Sequence, residues 1–354
     1  MSKWYPTIAR CWRPLHKIKY YTLSEANVSG INLRYSQGRT LVELMIAMTI
    51  GLVISLAVTS LFVNNSQTYR IFDDKAVMEE DGRFALNMLA YHIRMAGTGP
   101  SINTTLQTES GGGVSSFDPS TGEAIFGCSG GFLSPVAAAN PALAFPVPCN
   151  SSATGPDGLV IRYVVDLDNS NQASASLVAP TDCLGQPVAL SMKTPPLQSD
   201  YTVENRYYVV VDPVTSRSDL YCVGNGDIPL NTAPLKAGKR VMANVIDMKV
   251  IYGYDQQNKQ SANSFFNAAD LMAPTVPIPA NESLSLSGAA PSKWSRIVSA
   301  KICLVMRSAS DALAPKPMTY TDCSGTVVAA ADKRLYSTFS TVVSIRGRIN
   351  GRSL

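Results

Sequence analysis

The segment Gly38-Arg39-Thr40-Leu41-Val42-Glu43, followed by the apolar run LMIAMTIGLVISLAVTSLFV (44–63), decides the fold of this 354-residue chain. As a helix with a rise of about 1.5 Å per residue, residues 40–63 would span roughly 36 Å. This length is enough to cross a bilayer core of about 30 Å. Glu43 is the only ionisable residue inside the run. A carboxylate in a membrane helix is costly, so Glu43 is predicted to have a function.

The helix is predicted to continue beyond the apolar run, because no proline occurs between Pro14 and Pro100. Its second half, residues 64–97, has the periodicity of an amphipathic helix, and Gly97 and Gly99 are expected to end it. The whole helix would contain roughly 57 residues and be about 85 Å long. Glu79 and Arg83 are spaced for an ion pair on its solvent side. Its packing face is predicted to consist of Val77, Phe84, Met88, Tyr91 and Met95.

The order Gly, one residue, Thr-Leu-Val-Glu and about twenty apolar residues resembles the processing motif of type IV prepilins and pseudopilins. In that family a membrane peptidase cuts after the glycine and methylates the new amino terminus. The resemblance implies cleavage between Gly38 and Arg39, with Glu43 as the fifth mature residue. The family usually has phenylalanine where this chain has Arg39. That departure bears on methylation more than on cleavage, since the glycine is present.

The continuation SLFVNNSQTYR…EEDGRFALNMLAYHIRMAGTG resembles the PilW-type minor pilins. So does VIDMKVIYGYD followed by W-x-R-I-V-x-A-K-I-C-L-V-M-R. The resemblance implies an α+β, type IV pilin-like fold. A long N-terminal helix, half membrane-spanning and half amphipathic, would pack on an antiparallel β-sheet domain with disulfide-tethered loops.

The first 38 residues hold six basic residues and one acid, so the formal charge of +4 is concentrated there. The remainder has 24 basic and 25 acidic residues, about −1 in net charge, which gives no reason to expect direct nucleic-acid binding. The basic end is expected to stay in the cytoplasm. Residues 1–38 are interpreted as a leader peptide, either a long one or one whose true start lies near Val28. The expected divisions are 1–38 leader, 39–63 membrane and filament-core half, 64–97 amphipathic half and 98–354 globular domain.

Strand signals begin at Gly158. Residues 100–157 are rich in Gly, Ser, Asn and Pro and are interpreted as loops, and residues 256–292 as a surface insertion between strands. No internal repeat is evident. The predicted strands are LVIRYVVDL after Gly158, RYYVVVD (206–212), DLYCVG (219–224), VMANVIDMKVIYGYD (241–255), KWSRIVSAKICLVMRS (293–308) and FSTVVSIRGRI (339–349).

Cysteine usage predicts an oxidising compartment. One of the seven cysteines, Cys11, lies in the leader, and the other six have wide spacing without a C-x-x-C pair. The sequence leaves their connectivity open. The simplest set joins neighbours: Cys128–Cys149, Cys183–Cys222 and Cys303–Cys323.

Signals for catalysis or for a metal are weak. His92 is the only histidine after the leader and is interpreted as a packing or surface residue. The sequence Asp166, Asp168, Asn169 lacks the glycine and distal glutamate of a calcium loop and is interpreted as a turn. No phosphate-binding glycine loop or hydrolase motif occurs. We therefore expect no enzyme activity, no metal and no cofactor.

The hypothesis about filament assembly rests on Glu43. A carboxylate in a filament core can be neutralised by the amino terminus of a neighbouring subunit, which would favour the correct docking register. Arg39 lies four residues before Glu43, so it can pair with the carboxylate within one helix and weaken that docking. The alternative is that Glu43 serves the peptidase alone.

The resemblance implies a minor pilin that joins a priming or tip complex, first in the inner membrane with its globular domain in the periplasm and later in the pilus. The implied partners are the prepilin peptidase, other minor pilins, the major pilin and the assembly platform, with a tip adhesin as a further candidate. Adhesion and twitching motility would be downstream consequences. Two alternatives stay open: a minor pseudopilin of a type II secretion system, and a membrane-anchored periplasmic binding protein or enzyme.

Overall fold

The structure is a computed structural model. It describes residues 40–99, 124–135, 147–150, 152, 154–165, 181–188, 201–212, 215, 217–226, 237–257, 259–273, 276, 293–311, 313–314 and 316–349. The predicted leader, with Gly38, and Arg39 lie outside these residues. The predicted turn at 166–169 also lies outside them, as do residues 100–123 and 136–146 of the predicted loop segment 100–157.

Helix α1 runs from Leu41 to Met95 and confirms the predicted long helix. The Thr40 hydroxyl accepts a hydrogen bond from the Glu43 amide at 3.3 Å and caps the first turn. Beyond the other end, Gly97 has a φ of 68°, a left-handed conformation that glycine adopts at low cost. The chain divides into two compact units, residues 1–62 and 63–354, and the boundary falls within α1.

The predicted packing face of α1 is only partly correct. Met88 and Met95 are half-buried against the core, but Val77, Phe84 and Tyr91 are exposed. The buried face is rotated from the predicted one by roughly 150°, since successive residues turn by about 100°. It is formed by Met78, Gly82, Ala85, Leu86, Leu89, Ala90 and Ile93.

The ion pair of this half of the helix also differs from the prediction. The side chain of Glu79 lies 3.9 Å from Lys75, one turn before Glu79, rather than beside Arg83. Both partners are largely exposed, so the pair contributes little to stability.

Two antiparallel sheets and a separate hairpin follow the helix. The strands of the first sheet are β1 (Ile125–Cys128), β2 (Gly158–Val165), β3 (Tyr201–Val211), β4 (Ser218–Gly224) and β5 (Lys239–Met242). Those of the second sheet are β6 (Val245–Tyr254), β7 (Ser264–Phe266), β8 (Ile297–Arg307) and β11 (Tyr336–Ser344). The short elements are the hairpin β9 (Thr319–Thr321) and β10 (Val327–Ala329), helices α2 (Ala268–Met272) and α3 (Arg346–Ile349), and a 3₁₀ turn (Lys293–Arg296). The first sheet has the order β1-β2-β3-β4-β5 and the second β11-β8-β6-β7.

The predicted strands exist, but three of the six predicted runs contain more than one element. The run 241–255 is divided at Asn244, whose φ of 60° ends β5 and lets β6 join the other sheet. The run 293–308 begins with the 3₁₀ turn, and the run 339–349 ends in α3. Strand β7 and helix α2 lie within the predicted insertion 256–292.

Three disulfides tether the loops to the strands. The pairs are Cys128–Cys149, Cys183–Cys222 and Cys303–Cys323, which is the nearest-neighbour set. Each closes a short loop, of 21, 39 and 20 residues. By chain entropy, such closures stabilise a fold by about 3 kcal/mol each.

An internal repeat that the sequence analysis missed accompanies two of these bridges. TDCLGQPV (181–188) and TDCSGTVV (321–328) share five residues and form the same turn. Asp182 and Asp322 each accept hydrogen bonds from the backbone N–H groups two and four residues later, at 2.8–3.0 Å. The glycine at the fifth position has a φ of 71° in one copy and 85° in the other. The repeat is therefore a disulfide-anchored turn that the chain uses twice.

The buried face of α1 and both sheets form one apolar core, which includes Leu89, Tyr207 and Leu304. Gly82 is the point of closest approach, because a Cβ placed there would lie 2.7 Å from the ring of Phe339 on β11. The fold is α+β, with a long helix packed on antiparallel sheets, as predicted.

Candidate functional site

The apolar half of α1 has the properties of a membrane segment. By length and composition, α1 is the one helix in the described part of the chain that could cross a membrane. The hydroxyls of Thr49, Ser55 and Thr59 donate to backbone carbonyls one turn earlier, at 2.8–2.9 Å. These bonds satisfy the polar groups inside the helix, as an apolar surrounding requires.

Glu43 lies on the first turn of α1 and is exposed, along with every other residue from Leu41 to Val63. Its predicted partner Arg39 lies outside the described residues, so the intrahelical pair stays a prediction. Within residues 40–63 Glu43 is the only charged side chain.

The second half of α1 presents large apolar side chains on the side opposite its buried face. Phe84 is 59% exposed, although it lies in the same unit as the sheets. Other large apolar residues on exposed positions of this half are Tyr69, Phe72, Val77 and Tyr91. Large apolar side chains exposed in this way indicate a contact site for another protein or a membrane.

His92 fastens the last turns of α1 to the first sheet. Its Nδ1 lies 2.8 Å from the Tyr207 hydroxyl and 3.0 Å from Nδ2 of Asn205, both on β3. Asn205 Nδ2 also donates to the Tyr163 hydroxyl on β2 at 3.3 Å. Burial lowers the pKa of His92 to about 4, so the imidazole is neutral at pH 7. The predicted packing role of His92 thus includes a specific polar contact.

A buried ion cluster lies on the opposite face of β3. Glu204 is fully buried between Arg162, at 2.5 Å, and Arg206, at 2.6 Å. Arg206 also donates to the Pro135 carbonyl at 2.7 Å, which links the loop after β1 to the sheet. Burial alone would raise the pKa of Glu204, but the two arginines outweigh it and hold the pKa below its usual value.

The sequence analysis missed Glu204 and Asn205 because it began the strand at residue 206, and it assigned no partner to Arg206. Three polar residues between Val203 and Tyr207 are unusual in a strand. Buried polar side chains need hydrogen-bond or ion-pair partners. These three consecutive polar residues could therefore have indicated a buried polar cluster.

Among the described residues, no group of three or more His, Cys, Asp or Glu side chains could hold a metal ion. The candidate site is therefore a contact surface on α1, which the sheets hold in place.

Two family models match parts of the chain. The family described as Type IV Pilus-assembly protein W matches residues 206–347, and the Prokaryotic N-terminal methylation motif matches residues 33–59. No curated protein sequence is significantly similar to the chain. A type IV-like pilin from Thermus thermophilus, TTHA1219, shares 11% identity. The alignment covers 55% of this chain and 81% of that one, with a TM-score of 0.29. The chain is thus similar to type IV pilus-assembly protein W over residues 206–347 and carries the N-terminal methylation motif over residues 33–59, at the start of the long helix α1.

Proposed function

We propose that this protein takes part in type IV pilus assembly as a minor pilin of the priming or tip complex, after cleavage between Gly38 and Arg39. The observation that carries the proposal is the two-sided helix α1, which buries one face in its own domain and leaves a second apolar face exposed. The methylation motif over residues 33–59 supports the processing step.

The family comprises structural pilin-like proteins and is not a known class of enzymes. Its members interact with other pilus components and undergo prepilin processing. In our proposal the direct partners are the prepilin peptidase, other minor pilins, the major pilin and the inner-membrane assembly platform, with a tip adhesin as a further partner.

The chain is membrane-anchored through α1. We infer that residues 1–38 are removed as a leader and that residues 39–63 occupy the bilayer and later the filament core. Residues 64–97 and 98–354 would stand in the periplasm and then in the pilus. Three disulfides support an oxidising surrounding for that part.

Mass spectrometry of the amino terminus tests the processing step. The full chain is produced in cells with and without the prepilin peptidase, and we expect an end at Arg39 only when the peptidase is present. Gly38→Ala should block the cut, whereas the neighbouring Gln37→Ala should leave it intact. Recovery of the uncut chain from sheared pili would contradict the proposal.

Glu43 in this proposal pairs with a neighbouring subunit, and Arg39 competes for it within the helix. We expect Arg39→Phe to increase the recovery of the protein in sheared pili relative to the wild type. Arg70→Phe, on the same helix but beyond the membrane half, is the matched control. If Arg39→Phe left the recovery unchanged, the proposal that Arg39 competes for Glu43 would be wrong.

A further inference from the structure

The contact between His92 and β3 depends on one lone pair. Nδ1 of His92 faces the amide nitrogen of Asn205 and the hydroxyl of Tyr207. An amide nitrogen can only donate, so Nδ1 must be the acceptor and carry no proton.

Asn205 cannot rotate its amide to change this. Its Oδ1 accepts a hydrogen bond from the Cys183 backbone N–H at 2.9 Å, and Nδ2 is shared between His92 and Tyr163. Cys183 is held in turn by its disulfide to Cys222. Turning the amide to offer its oxygen to a protonated imidazole would break the bond to Cys183 and leave a buried N–H without a partner, which is costly.

We propose that His92, Asn205 and Tyr207 form an acid-sensitive latch between the last turns of α1 and the first sheet. A proton on Nδ1 can be accepted by the Tyr207 hydroxyl, but it faces the Asn205 N–H, so the bond to Asn205 is lost and the latch opens in acid. The latch gives the domain a regulated contact, which goes beyond the assembly role proposed above and does not depend on it.

Burial, rather than a neighbouring charge, lowers the pKa of His92 and favours its neutral form. Tyr163 on β2 and Tyr207 on β3 are hydroxyls, and burial raises the pKa of both well above the usual value. Tyr91, the neighbour on α1, has its ring centroid 5.3 Å from that of His92. Asp182 is the charged group on the turn packed against this site, and its carboxylate accepts three backbone N–H groups.

The direction of the pH effect follows from the lowered pKa of His92. Between about pH 6.5 and pH 4 the open state takes up a proton that the closed state does not, so the closed state loses stability as the pH falls through this window. With these two values, the equilibrium constant for opening rises about 20-fold between pH 7 and pH 5. Above pH 7 it is constant.

The test uses the full, unprocessed chain in detergent, labelled at the histidine Cε1. His16 in the leader and His92 are its only histidines, so His16 serves as the internal control. We expect His92 to titrate near pH 4, well below the ordinary value of a histidine, which is about 6.5. Exchange of the Tyr207 amide hydrogen, corrected for the intrinsic rate, should rise about 20-fold between pH 7 and pH 5. Titration of His92 together with His16, or exchange that does not rise, would overturn the latch.

A charge variant separates the latch from a simple packing role. Asn205→Asp keeps an acceptor for the Cys183 amide and presents a carboxylate oxygen to Nδ1, so it should raise the midpoint of His92 above 6.5 and abolish the rise in exchange. Asn150→Asp, on an exposed position, adds the same charge and should change neither. An Asn205→Asp protein that keeps the wild-type midpoint would refute the proposal, and the wild-type titration stands if this variant does not fold.

Discussion

The two faces of α1 predict opposite consequences for Leu89→Ala and Phe84→Ala. Leu89 is fully buried, whereas Phe84 is 59% exposed. Removing three buried carbon groups from Leu89 costs about 2.4 kcal/mol of transfer free energy, at about 0.8 kcal/mol each. The cavity left among the core residues adds to this, for a total of about 3–5 kcal/mol. Phe84→Ala should change stability by less than about 1 kcal/mol, because little area is lost and alanine favours the helix.

The assay is urea unfolding of the full chain in detergent, followed by the fluorescence of Trp294, which is buried in the core. The other two tryptophans, Trp4 and Trp12, are replaced by phenylalanine in every variant so that Trp294 gives the only signal. The free energy of unfolding is compared at unchanged m-value. Recovery in sheared pili is measured in parallel, and Phe84→Ala should lower it without lowering stability.

The reasoning would be refuted if Phe84→Ala destabilised the domain as much as Leu89→Ala. That outcome would mean that the helix packs on the face that periodicity alone predicted. If a Phe84→Ala protein had normal stability and normal incorporation into pili, Phe84 would not be part of the assembly surface.

Two further predictions concern the interior. Gly82→Ala should destabilise the domain by about 1–3 kcal/mol although alanine has the better helix propensity, because the added Cβ meets the Phe339 ring at 2.7 Å. The control is Gly51→Ala: nothing lies within 4 Å of a Cβ there, so the unfolding midpoint should not change. Glu204→Gln should cost about 3–5 kcal/mol, since it leaves the buried Arg206 without its carboxylate. The lowered pKa of Glu204 means that its contribution is present at neutral pH and lost in acid, so the difference between wild type and Glu204→Gln should shrink as the pH falls below about 4.5.

The elements of this fold could be predicted where one local signal decided them. The apolar run and the absence of proline gave α1, and Gly97 marked its end. The alternating β-branched runs gave six strand regions. The split at Asn244 could not be predicted in this way, because the residues on both sides have strand propensity and only tertiary pairing assigns them to different sheets.

The hydrogen bonds of His92 could not be predicted from local sequence patterns. His92 and Asn205 are 113 residues apart in the sequence, and neither shows its partner in its own neighbourhood. The repeated turn could have been found from the sequence alone, since TDC-x-G occurs in it twice. Only the structure gives the two copies a common role, because both disulfide-anchored turns use the aspartate in the same way.

The error about the packing face has a physical cause that bears on function. The buried face includes Gly82, Ala85 and Ala90, small residues that let the helix backbone approach the sheets but add little to a hydrophobic pattern. The larger Phe84 and Tyr91 dominate the pattern and lie on the other side. The small residues share the buried face with larger ones, which are Met78, Leu86, Leu89 and Ile93, so the domain buries part of the apolar surface of the helix and leaves Phe84 outside it. A large apolar side chain left exposed in this way is available for burial against a second protein.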